Sequence, residues 1–114
     1  MEAFKQGDVV RVPFPYTDQS TRQRRPALVI STGPVGRDGS LLWVSMITSA
    51  ENAPWPGDIP VGDLTTAGLP APSVIRPSKL ATIEAGHAER LGSIDSGLKD
   101  AVIDAIEGHL RPPS

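Results

Sequence analysis

Short hydrophobic stretches recur along this chain, and several of them alternate with polar positions. Residues 8–14, DVVRVPF, put Val10, Val12 and Phe14 on one face of an extended chain, which is the two-residue period of a half-buried strand. Residues 26–31, PALVIS, are apolar without a break, β-branched and too short for a helix. This second stretch therefore predicts a central, buried strand.

Three more extended stretches complete the set of long predicted strands. They are 40–48 (SLLWVSMIT), 73–84 (SVIRPSKLATIE, which Pro77 interrupts) and 88–94 (AERLGSI). The Pro- and Gly-rich span 52–73 predicts a loop with one short strand near Ile59 and Val61. Trp43 lies in the middle of a strand and is expected in the core, whereas Trp55, between two prolines, is expected to be exposed.

Only the end of the chain has a helical pattern. Asp95 is a typical N-cap residue, and the apolar residues after it recur at steps of three and four as far as Leu110. Many short strands joined by turns, followed by one helix, predict a mainly β fold, a small barrel with a C-terminal helix packed on it. The length of 114 residues fits a single domain over 1–114.

Composition and charge narrow the function classes. The formal net charge is −2, so any nucleic-acid binding must be local rather than due to the overall field. The chain has no cysteine, which excludes disulfides, thiol nucleophiles and zinc ribbons. Neither a signal peptide nor a stretch long enough to span a bilayer is seen. We expect a soluble, cytoplasmic protein.

A cluster of basic residues precedes the second strand in TRQRRPALVIST, residues 21–32. Arg22, Arg24 and Arg25 are suited to bind a phosphate group, because planar guanidinium groups meet its oxygens in pairs. The alternative is that these arginines are gatekeeper residues, whose charge at the end of a hydrophobic strand prevents aggregation. The arginines alone do not decide between these interpretations.

The order of several motifs favours the phosphate site. The segments GDVVRVPFPYTD, RRPALVIS, VSMITSA, AGLPAPSVIRPSKLATIE and RLGSI follow one another along the chain. In this order they resemble the MazF/PemK family of type II toxin–antitoxin ribonucleases, from about residue 7 to about residue 110. The resemblance implies an SH3-like barrel that forms a homodimer and cuts single-stranded RNA without a metal or other cofactor. It also implies neutralisation by a cognate antitoxin protein.

The resemblance assigns the catalytic positions residue by residue. Arg25, directly before the proline, matches the central active-site arginine of the family, and Thr48 matches its partner threonine. Arg76, in VIR, matches a second arginine that some members use. The chemistry suits these residues, because charge grows on the phosphate oxygens during attack by the 2′-hydroxyl and fixed donors stabilise it. The structural alternatives are that Thr48 is a strand former and that Arg76 pairs with Asp18 or Glu84.

Contacts to the RNA are predicted for a further group of residues. These are Arg22, Arg24, Tyr16, Thr17, Ser78 and Lys79. Basic side chains bind phosphates, and an aromatic ring stacks on an unpaired base.

A general base is the missing part of this pattern. A guanidinium stays protonated near neutral pH and is an inefficient proton acceptor. Two positions at which family members carry a carboxylate are Ser20 and Ser78 in this chain, which leaves Asp18 as the candidate. Because these carboxylates are missing, the alternative function is a non-catalytic toxin or module. It would bind DNA gyrase as CcdB-type proteins do, or would retain only antitoxin binding.

Overall fold

A computed structural model describes residues 4–13 and 23–113 of the chain. The strands are β1 (Asp8–Pro13), β2 (Arg24–Val29), β3 (Leu41–Ser49), β4 (Ile59–Pro60), β5 (Ser73–Glu84) and β6 (Glu89–Ser93). The helices are α1 (Leu64–Ala67) and α2 (Ser96–Leu110), and short 3-10 turns lie at Arg37–Gly39 and Ala85–His87. All predicted strands and the C-terminal helix are present, whereas α1 was not predicted.

The strands form one curled sheet in the order β4-β5-β3-β2-β1-β6, and every neighbouring pair is antiparallel. This arrangement confirms the mainly β fold with a C-terminal helix. β2 lies near the middle of the sheet, as its continuous apolar run predicted. It extends further towards the N-terminus than predicted, so Arg24 and Arg25 are part of the strand.

Apolar side chains cover both faces of this sheet. One hydrophobic cluster contains Ala27 and Val29 of β2, and the second contains Leu28 together with Val102 and Ile106 of α2. The two-residue alternation of a strand sends successive side chains to opposite faces, so an unbroken apolar run fits a strand that is covered on both sides. The same is true of β1 at its start. Val9 is fully buried in the second cluster, and the prediction of a half-buried strand was wrong there.

Trp43 corrects a second expectation. Its neighbours Leu42 and Val44 are fully buried, and Trp43 points to the opposite face, where it is 54% exposed. Both faces of the sheet carry apolar clusters, but an apolar run does not show that the cover of one face stops short of Trp43, which is why the sequence suggested a core position.

β5 contains a wide bulge opposite β3. Ile75 pairs with Ile47 and Leu80 pairs with Ser45, so the four residues 76–79 of β5 lie opposite the single residue Met46. Pro77, which has no N–H to donate to a ladder, lies inside this bulge. The hydroxyl of Ser45, which is fully buried, donates to the carbonyl of Arg76 at 2.6 Å. The interruption expected at Pro77 is therefore a bulge within one strand.

Helix α2 begins as predicted. The Asp95 side chain accepts a hydrogen bond from the backbone N–H of Leu98 at 2.8 Å, which satisfies a donor that has no partner within the helix. Within the described ranges, neither α2 nor any other helix has the length and apolar content needed to cross a membrane.

Helix α1 is a single turn with a cap at each end. Asp63 accepts hydrogen bonds from the hydroxyl and the backbone N–H of Thr66, and these bonds lower the pKa of Asp63. Gly68 ends the helix with φ of 74°, in the left-handed region, which favours glycine. A Cβ at Gly68 would lie 2.2 Å from the carbonyl oxygen of Leu91 in β6. Close backbone contact thus joins α1 to the edge of the sheet.

We predict that Gly68→Ala lowers the free energy of unfolding by at least about 2 kcal/mol, since it combines a left-handed residue with overpacking against backbone. Gly62→Ala is the matched control, because a Cβ there meets nothing within 4 Å and its φ lies outside the left-handed region. Urea unfolding of both variants is the measurement. Equal stability of the two would contradict the close approach of α1 to β6.

Candidate active site

Two adjoining cavities meet at the ends of β2 and β3. The smaller has a volume of about 170 Å³ and is lined by Arg25, Met46, Ile47, Thr48, Arg76 and Lys79. The larger, of about 530 Å³, shares Arg25, Ile47 and Thr48 with it. Arg25 and Thr48, which are 23 positions apart in the sequence, therefore lie side by side where the cavities join.

Arg25 is held by the sheet rather than by a loop. Its Cα pairs with that of Val12 in β1, and its Nη2 donates to the Oε1 of Gln23 at 3.0 Å. The side chain is exposed. The strand backbone fixes the direction in which the Cα–Cβ bond of Arg25 leaves the sheet, and Gln23 contacts its guanidinium, so Arg25 places a cation at this point of the surface.

Thr48 lies one residue before the end of β3, opposite Val74 of β5. Its Oγ1 accepts a hydrogen bond from the Nδ2 of Asn52 at 2.5 Å. Nothing in the sequence indicated Asn52, because an asparagine in a turn after a strand most often serves its own backbone.

Arg76 is 7% exposed, although it is charged. Its Nε lies 3.2 Å from the Oδ1 of Asp58, and its Nη2 donates to the carbonyl of Ala53 at 2.6 Å. The guanidinium carbon lies 4.4 Å from the centre of the Trp55 ring, within the range of a cation–π interaction. The alternative considered from the sequence, a pairing of Arg76 with Glu84, is not what the structure shows, because Arg76 pairs with Asp58 and Glu84 with His87; Asp18 lies outside the described residues. The bulge in β5 turns Arg76 towards the segment 53–58 instead.

Asp58 connects Arg76 to a tight turn. Its Oδ2 accepts from the backbone N–H of Trp55 at 2.9 Å, while its own N–H donates to the carbonyl of Trp55 at 3.1 Å. Trp55 is 40% exposed, as predicted, and its ring centre also lies 5.6 Å from the Nζ of Lys79. The turn therefore holds an exposed indole ring beside two cations.

The lining of the smaller cavity is positively charged. Arg25, Arg76 and Lys79 contribute three cations, and no carboxylate is among the described residues that line this cavity. Cations that converge on a concave surface raise the local concentration of anions. Nor do the described residues include three histidine, aspartate or glutamate side chains placed to hold a metal ion. This cavity is suited to bind a phosphate group.

The larger cavity continues from this point as a groove. Arg11 and Arg24 lie on it, and so do Leu69, Pro70 and Pro72 from the segment after α1. Arg24 does not line the smaller cavity. It forms an exposed ion pair with Glu89 at 3.6 Å and donates to the carbonyl of His87 at 2.7 Å. The sequence AGLPAPS contributed to the family resemblance, but nothing in it indicated a groove.

The remaining predicted site residues have different positions. Ser78 is exposed in the bulge and lines neither cavity, whereas Lys79 lines the smaller one. Arg22, Tyr16, Thr17, Asp18 and Ser20 lie outside the described residues.

Several solved structures share this fold, and MazF toxins are among them. The chain superimposes on a MazE–MazF complex from Deinococcus radiodurans with a TM-score of 0.76 and 18% identity, covering 99% of this chain and 100% of that one. An endoribonuclease in complex with its cognate antitoxin from Mycobacterial species superimposes with a TM-score of 0.72 and 17% identity, covering 100% of this chain and 99% of that one. Mycobacterium tuberculosis toxin MazF-mt6 superimposes with a TM-score of 0.65 and 18% identity, covering 90% of this chain and 95% of that one. These likenesses establish the fold of a MazF-type toxin.

A match between the sequence and a family model identifies the family to which the chain belongs. The profile of the family described as "PemK-like, MazF-like toxin of type II toxin-antitoxin system" matches residues 5–111. No curated protein sequence matches the chain significantly. The chain belongs to the PemK-like, MazF-like toxins, which confirms the resemblance seen in its motifs.

We predict that Asp58→Ala lowers the free energy of unfolding by about 3 kcal/mol, because it leaves the buried cation of Arg76 without its carboxylate. Arg76→Ala is expected to cost a similar amount. The double variant should lose much less than the sum of the two, since both changes remove one interaction.

Glu107→Ala is the control, because the pair of Glu107 with Arg111 is exposed at the end of α2 and such pairs contribute less than about 1 kcal/mol. Urea unfolding of the four variants is the measurement. Additive losses for Asp58 and Arg76 would contradict the coupling.

Proposed function

We propose that this chain, as one toxin domain over 1–114, is an endoribonuclease that cleaves single-stranded RNA without a metal. Cleavage of mRNA would inhibit translation and growth, and would place the protein in the cytoplasm. The observation that carries the proposal is the position of Arg25 and Thr48 together on a small cavity with three cations. A structural neighbour described as an endoribonuclease supports it further.

The proposed reaction is an in-line transfer of the phosphoryl group within the RNA. The 2′-oxygen loses its proton to a base and bonds to the adjacent phosphorus, while the bond from phosphorus to the 5′-oxygen breaks and that oxygen takes up a proton. The products are a 2′,3′-cyclic phosphate and a 5′-hydroxyl. Negative charge grows on the phosphate oxygens in the transition state. Arg25 would meet it with paired N–H donors and Thr48 with its hydroxyl.

The other site residues have supporting roles in this proposal. Arg76 adds positive charge to the cavity and, through Asp58, holds the turn at Trp55. Both carboxylate oxygens of Asp58 accept hydrogen bonds already, which makes Asp58 poorly suited to accept a proton. Asp18 remains our candidate for the base, on the sequence alone.

RNA on either side of the cut would follow the groove. Arg24 lines the larger cavity and Lys79 the smaller one, so phosphates can be bound on both sides of Arg25. We assign the same role to Arg22, Tyr16, Thr17 and Ser78 from the sequence.

We predict that the purified chain cuts a long unstructured RNA in excess EDTA, and that Arg25→Ala lowers the rate by a factor of about 10² or more, the usual effect of losing a transition-state donor. Arg37→Ala is the control, because Arg37 is an exposed arginine that lines neither cavity. Gel analysis with mapping of the product ends is the measurement. RNA with deoxyribose at the cut position should survive, because it has no nucleophile.

Two outcomes would contradict this proposal. Cutting by Arg25→Ala at the wild-type rate would remove Arg25 from the site, and cutting at a deoxyribose would exclude attack by the 2′-hydroxyl. If the wild-type protein does not cut at high concentration, the binding toxin becomes the better interpretation, with gyrase and an antitoxin as the partners to test.

We further propose that the toxin binds a cognate antitoxin and forms a homodimer. The solved neighbours include complexes of MazF with MazE, which supports the antitoxin. For the homodimer, a groove of about 420 Å³ carries Trp43, Leu80 and Leu110, three of the large apolar side chains that are exposed. This groove shares no lining residue with the cavities at Arg25, so a second copy can cover it and leave the site open.

We predict that Trp43→Lys converts a dimer to a monomer, because a charge replaces a large apolar side chain at the proposed interface. The control is Arg37→Lys, a conservative change outside that groove. Light scattering during size-exclusion chromatography measures the mass. A wild-type monomer, or a Trp43→Lys dimer of unchanged stability, would remove this groove as the dimer interface.

A further inference from the structure

Asn52 has no role in the mechanism described above, yet its side chain touches a proposed catalytic residue. It is exposed in the turn after β3, and its Nδ2 lies 2.5 Å from the Oγ1 of Thr48.

The direction of this bond decides what the hydroxyl can do. A threonine hydroxyl has one hydrogen to donate and two lone pairs to accept with. The amide group of Asn52 supplies the hydrogen here, so it occupies a lone pair of Thr48 and leaves the hydroxyl hydrogen free. Thr48 lines the smaller cavity together with Arg25 and Arg76. The free hydrogen can therefore point to an anion in the cavity.

The turn itself does not depend on the Asn52 side chain. Backbone bonds run from Ala50 N–H to the carbonyl of Pro72 at 3.0 Å and from Asn52 N–H to the carbonyl of Ser49 at 3.1 Å. The N–H of Glu51 donates to the Oγ of Ser49 at 3.2 Å. Each of these survives removal of the amide group of Asn52. A purely structural role would leave the amide with one exposed hydrogen bond, whose loss has only a small effect on stability.

We propose that Asn52 is a positioning residue that directs the hydroxyl hydrogen of Thr48 at a phosphate oxygen of the bound RNA. This inference rests on the proposed ribonuclease function. Asn52, in the segment after β3, would contribute to catalysis through Thr48 and would not itself contact the reacting atoms. The effect belongs to the transition state, where charge on the phosphate oxygens is greatest, so it appears in kcat rather than in KM.

The experiment is a double-variant cycle with Thr48→Val, which removes the hydroxyl at nearly constant volume. Asn52→Ala should lower kcat about tenfold in the wild-type background, within the usual range of coupling between hydrogen-bonded residues, and change KM less than about twofold. In the Thr48→Val background the same change should have no further effect. Glu51→Ala, in the same turn and exposed, is the control and should cut at the wild-type rate.

Asn52→Asp sharpens the test, because it keeps the size of the side chain and replaces the amide donor by an acceptor. The carboxylate would take the hydrogen of Thr48 for itself, so kcat should fall below that of Asn52→Ala. Cutting is followed at pH 7.5, and binding of the same RNA with deoxyribose at the cut position is followed by fluorescence anisotropy. Thermal unfolding shows that each variant is folded.

The outcomes separate this inference from the function on which it rests. If the wild-type protein does not cut, the ribonuclease proposal fails and this inference fails with it. If the wild-type protein cuts, but Asn52→Ala lowers kcat tenfold in both the wild-type and the Thr48→Val background, Asn52 does not act through Thr48. Only this inference is then overturned. Unchanged kcat in Asn52→Ala, or a loss confined to RNA binding, would overturn it equally.

Discussion

The pairing of β3 with β5 is the constraint from which the candidate site follows. Two long strands must stay in register on both sides of a point where four residues of β5 lie opposite Met46. The surplus backbone leaves the ladder there, and the hydroxyl of Ser45 fixes it by donating to the carbonyl of Arg76. A bulge bends its strand and re-aims its side chains. As a result the side chains of Arg76 and Lys79 both line the smaller cavity. β2 and β3 contribute a single cation to that cavity, Arg25.

The buried charge of Arg76 organises the segment between β3 and β4. Removing a cation from water is costly unless a counter-ion and hydrogen bonds replace the lost hydration, and the segment supplies both through Asp58 and the carbonyl of Ala53. The same segment carries Asn52, which contacts Thr48. The segment between β3 and β4 thus holds both the guanidinium of Arg76 and the hydroxyl of Thr48 at the cavity. Arg25, on the opposite side, belongs to β2, and its guanidinium donates to Gln23.

The sequence was informative where a residue pattern reports local structure. Alternation and unbroken apolar runs gave the strands, and Asp95 gave the start of α2 to the residue. The positions of Arg25 and Thr48 came from motif order, which carries information that periodicity lacks. Burial of Arg76 could not be predicted, because it depends on a partner 18 positions away and on a bulge. Trp43 was placed wrongly, because a sheet covered on both faces blurs the alternation that would have shown its direction.

The two tryptophans of the chain mark two different surfaces. Trp43 precedes Thr48 by five strand residues, about 17 Å along β3, and lines the apolar groove, whereas Trp55 lies against Arg76. The tryptophan fluorescence of the chain is therefore the sum of two emitters in different electrostatic surroundings. In a chain in which phenylalanine replaces Trp43, the tryptophan emission would come only from Trp55, beside the cationic cavity. Its spectrum would then report the arrival of an anion there, without a label and without any bond being cut.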